Sequence, residues 1–244
     1  MVPLRAEVLT TFLGFPITNT VTTTVLADII IVGTAVILRK KLAVIPGKLQ
    51  NVMESVVDLL NGFIADVGAT GKRADTIFPW FASLFFFIIV SNVLSLFPGY
   101  QTIVFSPGNQ ERIPIFRAAT SDLNVTLALA LISVFMTNAM SLKFLGLKGY
   151  LLRFISLNPI YLFVGILEIV SELTRIVSLS FRLFGNIFSG EFMLSMSLSV
   201  FAFLTPLPFL LLELIKAVVQ ALIFAMLTMV FMSMSTADHI ETEH

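Results

Sequence analysis

The sequence predicts an all-α membrane protein of about five membrane helices plus an amphipathic helix. The last two membrane helices are expected to be long and strongly tilted, joined as a hairpin. Three observations carry this. First, 57% of the 244 residues are hydrophobic and only 12% charged, with a mean hydropathy of +0.97; a soluble domain carries about 25% charged residues. Second, the apolar residues fall into runs long enough to cross a bilayer, divided by short polar or Pro/Gly-containing segments. Third, one run carries charged and amide side chains at helical spacing rather than at its ends.

Composition also excludes. There are no cysteines, so disulfides, thiol catalysis and cysteine metal sites are ruled out. Formal net charge is zero and gives no footprint for nucleic acid. The histidines, His239 and His244, both lie in a polar tail and suggest no metal site. Neither a catalytic constellation nor a cofactor motif appears. The chain reads as a single helical membrane domain over 1–244, without internal repeats.

The first span is expected at about 21–38. Its only charge is Asp28, an interface or lining group, and Arg39, Lys40 and Lys41 follow at once. The positive-inside rule places that end in the cytoplasm, or a matrix or stroma, and the N-terminus outside. Residues 1–20 lack the sustained apolar core of a signal peptide. Pro46-Gly47 breaks the chain before about 48–66. There Val52, Val56, Leu59, Leu60 and Phe63 share one face and Glu54, Asp58, Asn61 and Asp66 mostly the other, the pattern of an amphipathic helix on a membrane surface or partner.

A second span is expected at about 77–96, with Pro79-Trp80 near its inner interface. An outer loop with Arg112 and Arg117 follows. At its end, Ser121 or Asp122 suits the N-cap of the next helix; alternatively Asp122 and Asn124 line an outer aqueous vestibule. The third span, about 127–142, returns inward and meets Lys143, Lys148 and Arg153. The fourth, about 160–190, opens at Asn158-Pro159, and an apolar continuation runs to the break at Thr205-Pro206-Leu207-Pro208. The fifth, about 208–235, holds Glu213, Lys216 and Gln220, and a polar tail ends inside. Spans four and five are about 46 and 42 Å long at 1.5 Å per residue. Against ~30 Å of hydrocarbon this calls for a steep tilt.

The charged run is EIVSELTRIVSLSFRLFGNIFSGE, residues 168–191. Positions 168, 172, 175, 179, 182 and 186 step by three or four and form one stripe on a helix. Ionisable groups at membrane depth cost roughly 2.5–3.5 kcal/mol each and mark ion pathways or buried pairs. Glu172 and Arg175 are spaced to pair within the helix, as are Glu213 and Lys216. Arg182 has no acid within a turn, and its guanidinium keeps its proton at any working pH. It therefore needs a counter-charge, a wet cavity, or both. Asn186 lies beside it, and Gln220 is the natural polar group to face the stripe, as a lining group or as interhelical glue. Glu168, Glu191 and Glu213 can exchange protons where water reaches them.

At these residues the chain resembles subunit a of F-type ATP synthases. The resemblance rests on RLFGN (182–186) followed by Gly190-Glu191, the final-helix run VVQALIFAMLTMVFMSMS with Gln220, IPGKLQ (45–50) and SDLNVTLALAL (121–131). It implies a non-catalytic stator subunit whose two proton half-channels face a rotating c-ring, coupling proton flow to rotation and ATP synthesis. By this resemblance Arg182 matches the family's essential arginine. Glu168, Asn186, Glu191, Glu213 and Gln220 match polar positions lining the half-channels, with Asp122, Asn124, Glu172 and Arg175 in support. The implied partners are the c-ring, the peripheral stalk b subunits, other synthase subunits and the lipid of a cell inner membrane or an organelle. In the family the positions of Glu191 and Glu213 carry a Glu/His pair, whereas both are acidic here. Two rival readings are a secondary transporter using Arg182 to bind an anion, and a purely structural membrane subunit. The missing repeats argue against the first, the unpaired Arg182 against the second.

Overall fold

The computed structural model describes residues 7–12, 15–69, 71–97, 99–100, 103–105, 113–154, 159–200 and 205–236. Arg112, Asn158 and the tail histidines lie outside them. Six α-helices dominate: α1 Asn19–Lys41, α2 Lys48–Asp66, α3 Lys72–Ser95, α4 Leu123–Phe154, α5 Pro159–Val200 and α6 Pro206–Thr236. Two short antiparallel ladders that the apolar periodicity does not reveal complete the fold. β1 (Val8–Phe12) pairs with β2 (Phe15–Thr18) before α1, and β3 (Val104–Phe105) with β4 (Ile113–Pro114) in the loop after α3.

Four helices are long and apolar enough to cross a membrane: α1, α3, the Leu123–Leu147 part of α4, and α6. Helix α5 is not among them, because Glu168, Glu172, Arg175, Arg182 and Glu191 interrupt its apolar surface. It is also longer than the expected 160–190. Its 42 residues correspond to about 63 Å of helix, roughly twice the hydrocarbon thickness. Helix α4 runs past the expected 142 but is broken at Gly146, whose φ of 74° is a left-handed conformation that glycine adopts without a Cβ penalty. Helix α2 coincides with the amphipathic stretch: Leu60 and Ile64 are buried while Leu49, Val52 and Leu59 stay exposed.

Helix α4 packs along α5, α3 along α6, and α6 touches both α4 and α5. The core is built from Phe81, Ile88, Leu183, Phe224, Met229 and neighbours. Ala130, Ala221 and Ala225 are fully buried, and such small residues let helix backbones approach closely where hydrophobic burial gives little gain. Hydroxyls tie α4 to α6: Ser133 and Thr228 share a hydrogen bond of 2.7 Å, and Ser141 Oγ donates to the Ser235 carbonyl at 2.9 Å. Helix α1 is attached chiefly through its first turns, where Asn19, Thr20, Thr23 and Ala27 are buried.

Candidate functional site

Helix α5 carries its polar groups in three clusters, each completed by a neighbouring element. The cluster nearest its start contains Glu168, Glu172 and Arg175, all partly exposed. Beside the Glu172–Arg175 spacing, both residues make contacts to other helices. Asn138 Nδ2 on α4 donates to Glu172 Oε2 at 3.1 Å, and the Arg175 guanidinium lies 3.4 Å from the centroid of the Phe231 ring on α6. The reason is packing: α4 and α6 flank the stripe and offer an amide and a π-face.

Two turns further on, Arg182 is exposed on the α5 surface. Its Nη2 donates to Ser178 Oγ at 3.4 Å, and among the described residues no carboxylate pairs with it. It lines an open cleft of about 320 Å³ with Ser171, Thr174, Arg175, Ser178 and Phe231. A fixed cation therefore faces outward, flanked by hydroxyls, in a helix surface otherwise rich in exposed Leu, Ile, Val and Phe. One turn on, Asn186 Nδ2 donates to Gln220 Oε1 on α6 at 2.6 Å, with Gln220 only 3% exposed.

The third cluster joins α5, α6 and the segment before α4. Glu213 is 5% exposed and its carboxylate fills the space that a Cβ at Gly190 would take. Lys216 Nζ donates to Glu213 Oε2 at 2.6 Å, the spacing-derived pair. Glu191 faces the Arg117 guanidinium, the Ser121 hydroxyl and the Ala118 backbone amide, and lies within electrostatic reach of Glu213. Arg117 is 4% exposed, and its Nε donates to Ser121 Oγ at 3.1 Å. In the sequence Arg117 reads as a loop charge. The signal was its setting, an arginine between apolar IPIF and a pair of alanines, five residues before the α4 cap.

Asp122 proves to be that cap: its Oδ1 accepts the Asn124 N–H at 2.9 Å, and its Oδ2 accepts Thr20 Oγ1 from α1 at 3.2 Å. With Asn124 it also lines a groove of about 660 Å³ between α1, β2 and α4. Asp122 and Asn124 thus do not join the α5 clusters directly. Their link is Ser121, which contacts Arg117 and Glu191. Among the described residues no group of three or more His, Cys, Asp or Glu is placed to hold a metal ion.

Carboxylates thus stand toward both ends of α5, a permanent cation stands between them, and the Asn186 amide bridges to Gln220 on α6. The model of the family described as ATP synthase A chain matches residues 20–233. A protein of Hahella chejuensis named ATP synthase subunit a 1 is 37% identical over 215 residues, 88% of this chain and 82% of that protein. ATP synthase subunit a 2 of Pelobacter propionicus is 34% identical over 80% of this chain and 76% of its own. ATP synthase subunit a of Moorella thermoacetica is 29% identical over 92% and 93%.

Proposed function

Because the chain belongs to the ATP synthase A chain family, we propose that it is the membrane stator subunit through which protons cross, with Arg182 as the fixed charge between two half-channels. One observation supports this above the others. Arg182 stands exposed on α5 without a carboxylate partner among the described residues, although every other cluster on that helix is bridged to a neighbour. Its counter-charge then comes from another subunit, a carboxylate on the rotating c-ring.

In this reading the ring carboxylate meets Arg182 and releases its proton, because the guanidinium favours the ionised form. The proton leaves through one half-channel, and the carboxylate is reprotonated from the other before it re-enters lipid. Glu191 and Glu213 line one path. Glu168 lines the other, with Glu172 in support. Asn186 and Gln220 hold the middle of α5 against α6. The guanidinium bars direct passage, since it cannot hand on its own proton. The subunit converts ion flow into rotation and makes no bond itself; ATP chemistry belongs to other subunits.

Helix α5 is the fourth of five membrane spans, at about 160–190, and with α6 forms a tilted hairpin against the ring. Its length supports a tilt, since about 63 Å of helix does not fit upright in ~30 Å of hydrocarbon. Peripheral stalk b subunits are the remaining membrane partners. The N-terminus lies outside and the C-terminus in the cytoplasm of a cell inner membrane.

Arg182→Ala is the test. ATP-driven acidification of membrane vesicles disappears while the complex still assembles; near-normal acidification overturns the assignment. A cysteine placed at Ser178, beside Arg182, crosslinks to a ring helix. Failure there and at neighbouring stripe positions overturns the wall against the ring.

A further inference from the structure

Lys216 has no role in the path described above, yet it is the only hydrogen-bond partner of the Glu213 carboxylate among the described residues. Its Nζ donates to Oε2 at 2.6 Å, while Oε1 is buried without a partner. We propose that Lys216 is a positioning residue of the ion route, a tethered cation that holds Glu213 across Gly190 and stands where a mobile cation would otherwise sit. The inference rests on the functional reading just given.

Charged groups from three elements surround Glu213. On α5, Glu191 faces it; before α4, Arg117 faces Glu191; on α6 itself, Lys216 binds it. Helix α3 carries its charged residues, Lys72, Arg73 and Asp75, in its first turn and none at its Ser95 end. Asp122 at the start of α4 is occupied by Thr20 and Asn124. The order is therefore Arg117, Glu191, Glu213, Lys216: two carboxylates flanked by two cations, with no net charge. Two adjacent buried carboxylates alone would share a proton. Here each carboxylate has a cation on its outer side that offsets their mutual repulsion.

The two flanking cations are not equivalent. Arg117 is buried and permanently charged, so it fixes Glu191. Lys216 has a flexible stem, and its side chain is 28% exposed. It is the adjustable end of the row.

The experiment uses the assembled complex in vesicles, with ATP-driven proton pumping measured against pH for Lys216→Met, Lys216→Gln and Lys216→Arg. Without the ammonium, the pumping profile of Lys216→Met moves to higher pH by about one unit, while Lys216→Arg keeps the parent profile. Lys216→Gln follows Lys216→Met and serves if the methionine variant does not assemble. Neutral variants with the parent profile, or an arginine variant displaced as far as they are, overturn the inference. Arg182→Ala in the same vesicles separates the two readings. Pumping by Arg182→Ala sinks the functional assignment itself, whereas a silent Arg182→Ala with an unmoved Lys216→Met sinks the role of Lys216 alone.

Discussion

Asn186 on α5 donates to Gln220 on α6 at 2.6 Å, one helical turn from the exposed guanidinium of Arg182. The bond joins α5 to α6 at the polar face of α5, and Gln220 is almost fully buried there. Replacing Gln220 with Leu leaves the Asn186 amide without its acceptor, a loss of about 1–3 kcal/mol for a buried polar group. Pumping is expected to fall severalfold without vanishing. In a double-mutant cycle, Asn186→Leu with Gln220→Leu is less damaging than the sum of the two, by about 1 kcal/mol in thermal stability. Additive effects would make the bond incidental.

Gly190→Ala tests the crossing of α5 and α6. A Cβ at this position meets the Glu213 carboxylate itself. The variant is expected to displace Glu213 and cut proton pumping about tenfold, as for a charge moved by 1 Å or more from its working position. Gly62→Ala in α2 is the control: nothing lies within 4 Å of its added Cβ. That change stabilises α2 by about 0.5–1 kcal/mol. Equal effects at both sites would sink the steric argument.

Arg175→Leu removes the guanidinium from the Phe231 face. Thermal stability of the purified complex is expected to fall by about 1–2 kcal/mol, with most of the pumping rate kept. Complete loss of pumping at unchanged stability would move Arg175 from support into the path.

Tyr100, in the loop after α3, donates to Thr23 Oγ1 at 2.9 Å. Burial pushes its phenol above the ordinary 10.0, while the Thr23 bond pulls it weakly back. Folding therefore favours the neutral phenol. This contribution is complete below about pH 10 and is lost as pH rises through the raised value. Tyr100→Phe is expected to cost about 1 kcal/mol at neutral pH, and the difference from the parent closes in alkaline solution. A difference that grows with pH would contradict the assignment.

Much of this was legible in the residues. Apolar run lengths pointed to α1, α3, α4 and α6, and the three-and-four spacing from Glu168 to Asn186 gave a polar stripe on α5. The Glu213–Lys216 pair and the isolation of Arg182 followed from spacing alone. Other features were hidden for physical reasons. The β1–β2 hairpin is too short to show a period. Glu172 and Arg175 satisfy the rule for a helical pair, but their contacts to Asn138 and Phe231 on other helices do not show in the spacing. Arg117 reads as a loop charge because loops are polar by default. Only the tertiary fold brings it, from 74 residues away in sequence, to Glu191.

The two fixed points between α5 and α6 have a mechanical consequence. Asn186 meets Gln220, and Gly190 lies under Glu213. Successive pins along an antiparallel pair forbid sliding of one helix past the other, since any shift would break the hydrogen bond and drive the carboxylate into the α5 backbone. A sideways push delivered at Arg182 is therefore carried by both helices as one stiff beam. Little of it is dissipated as slip, because one amide pair and one missing methyl group lock the register of the two helices.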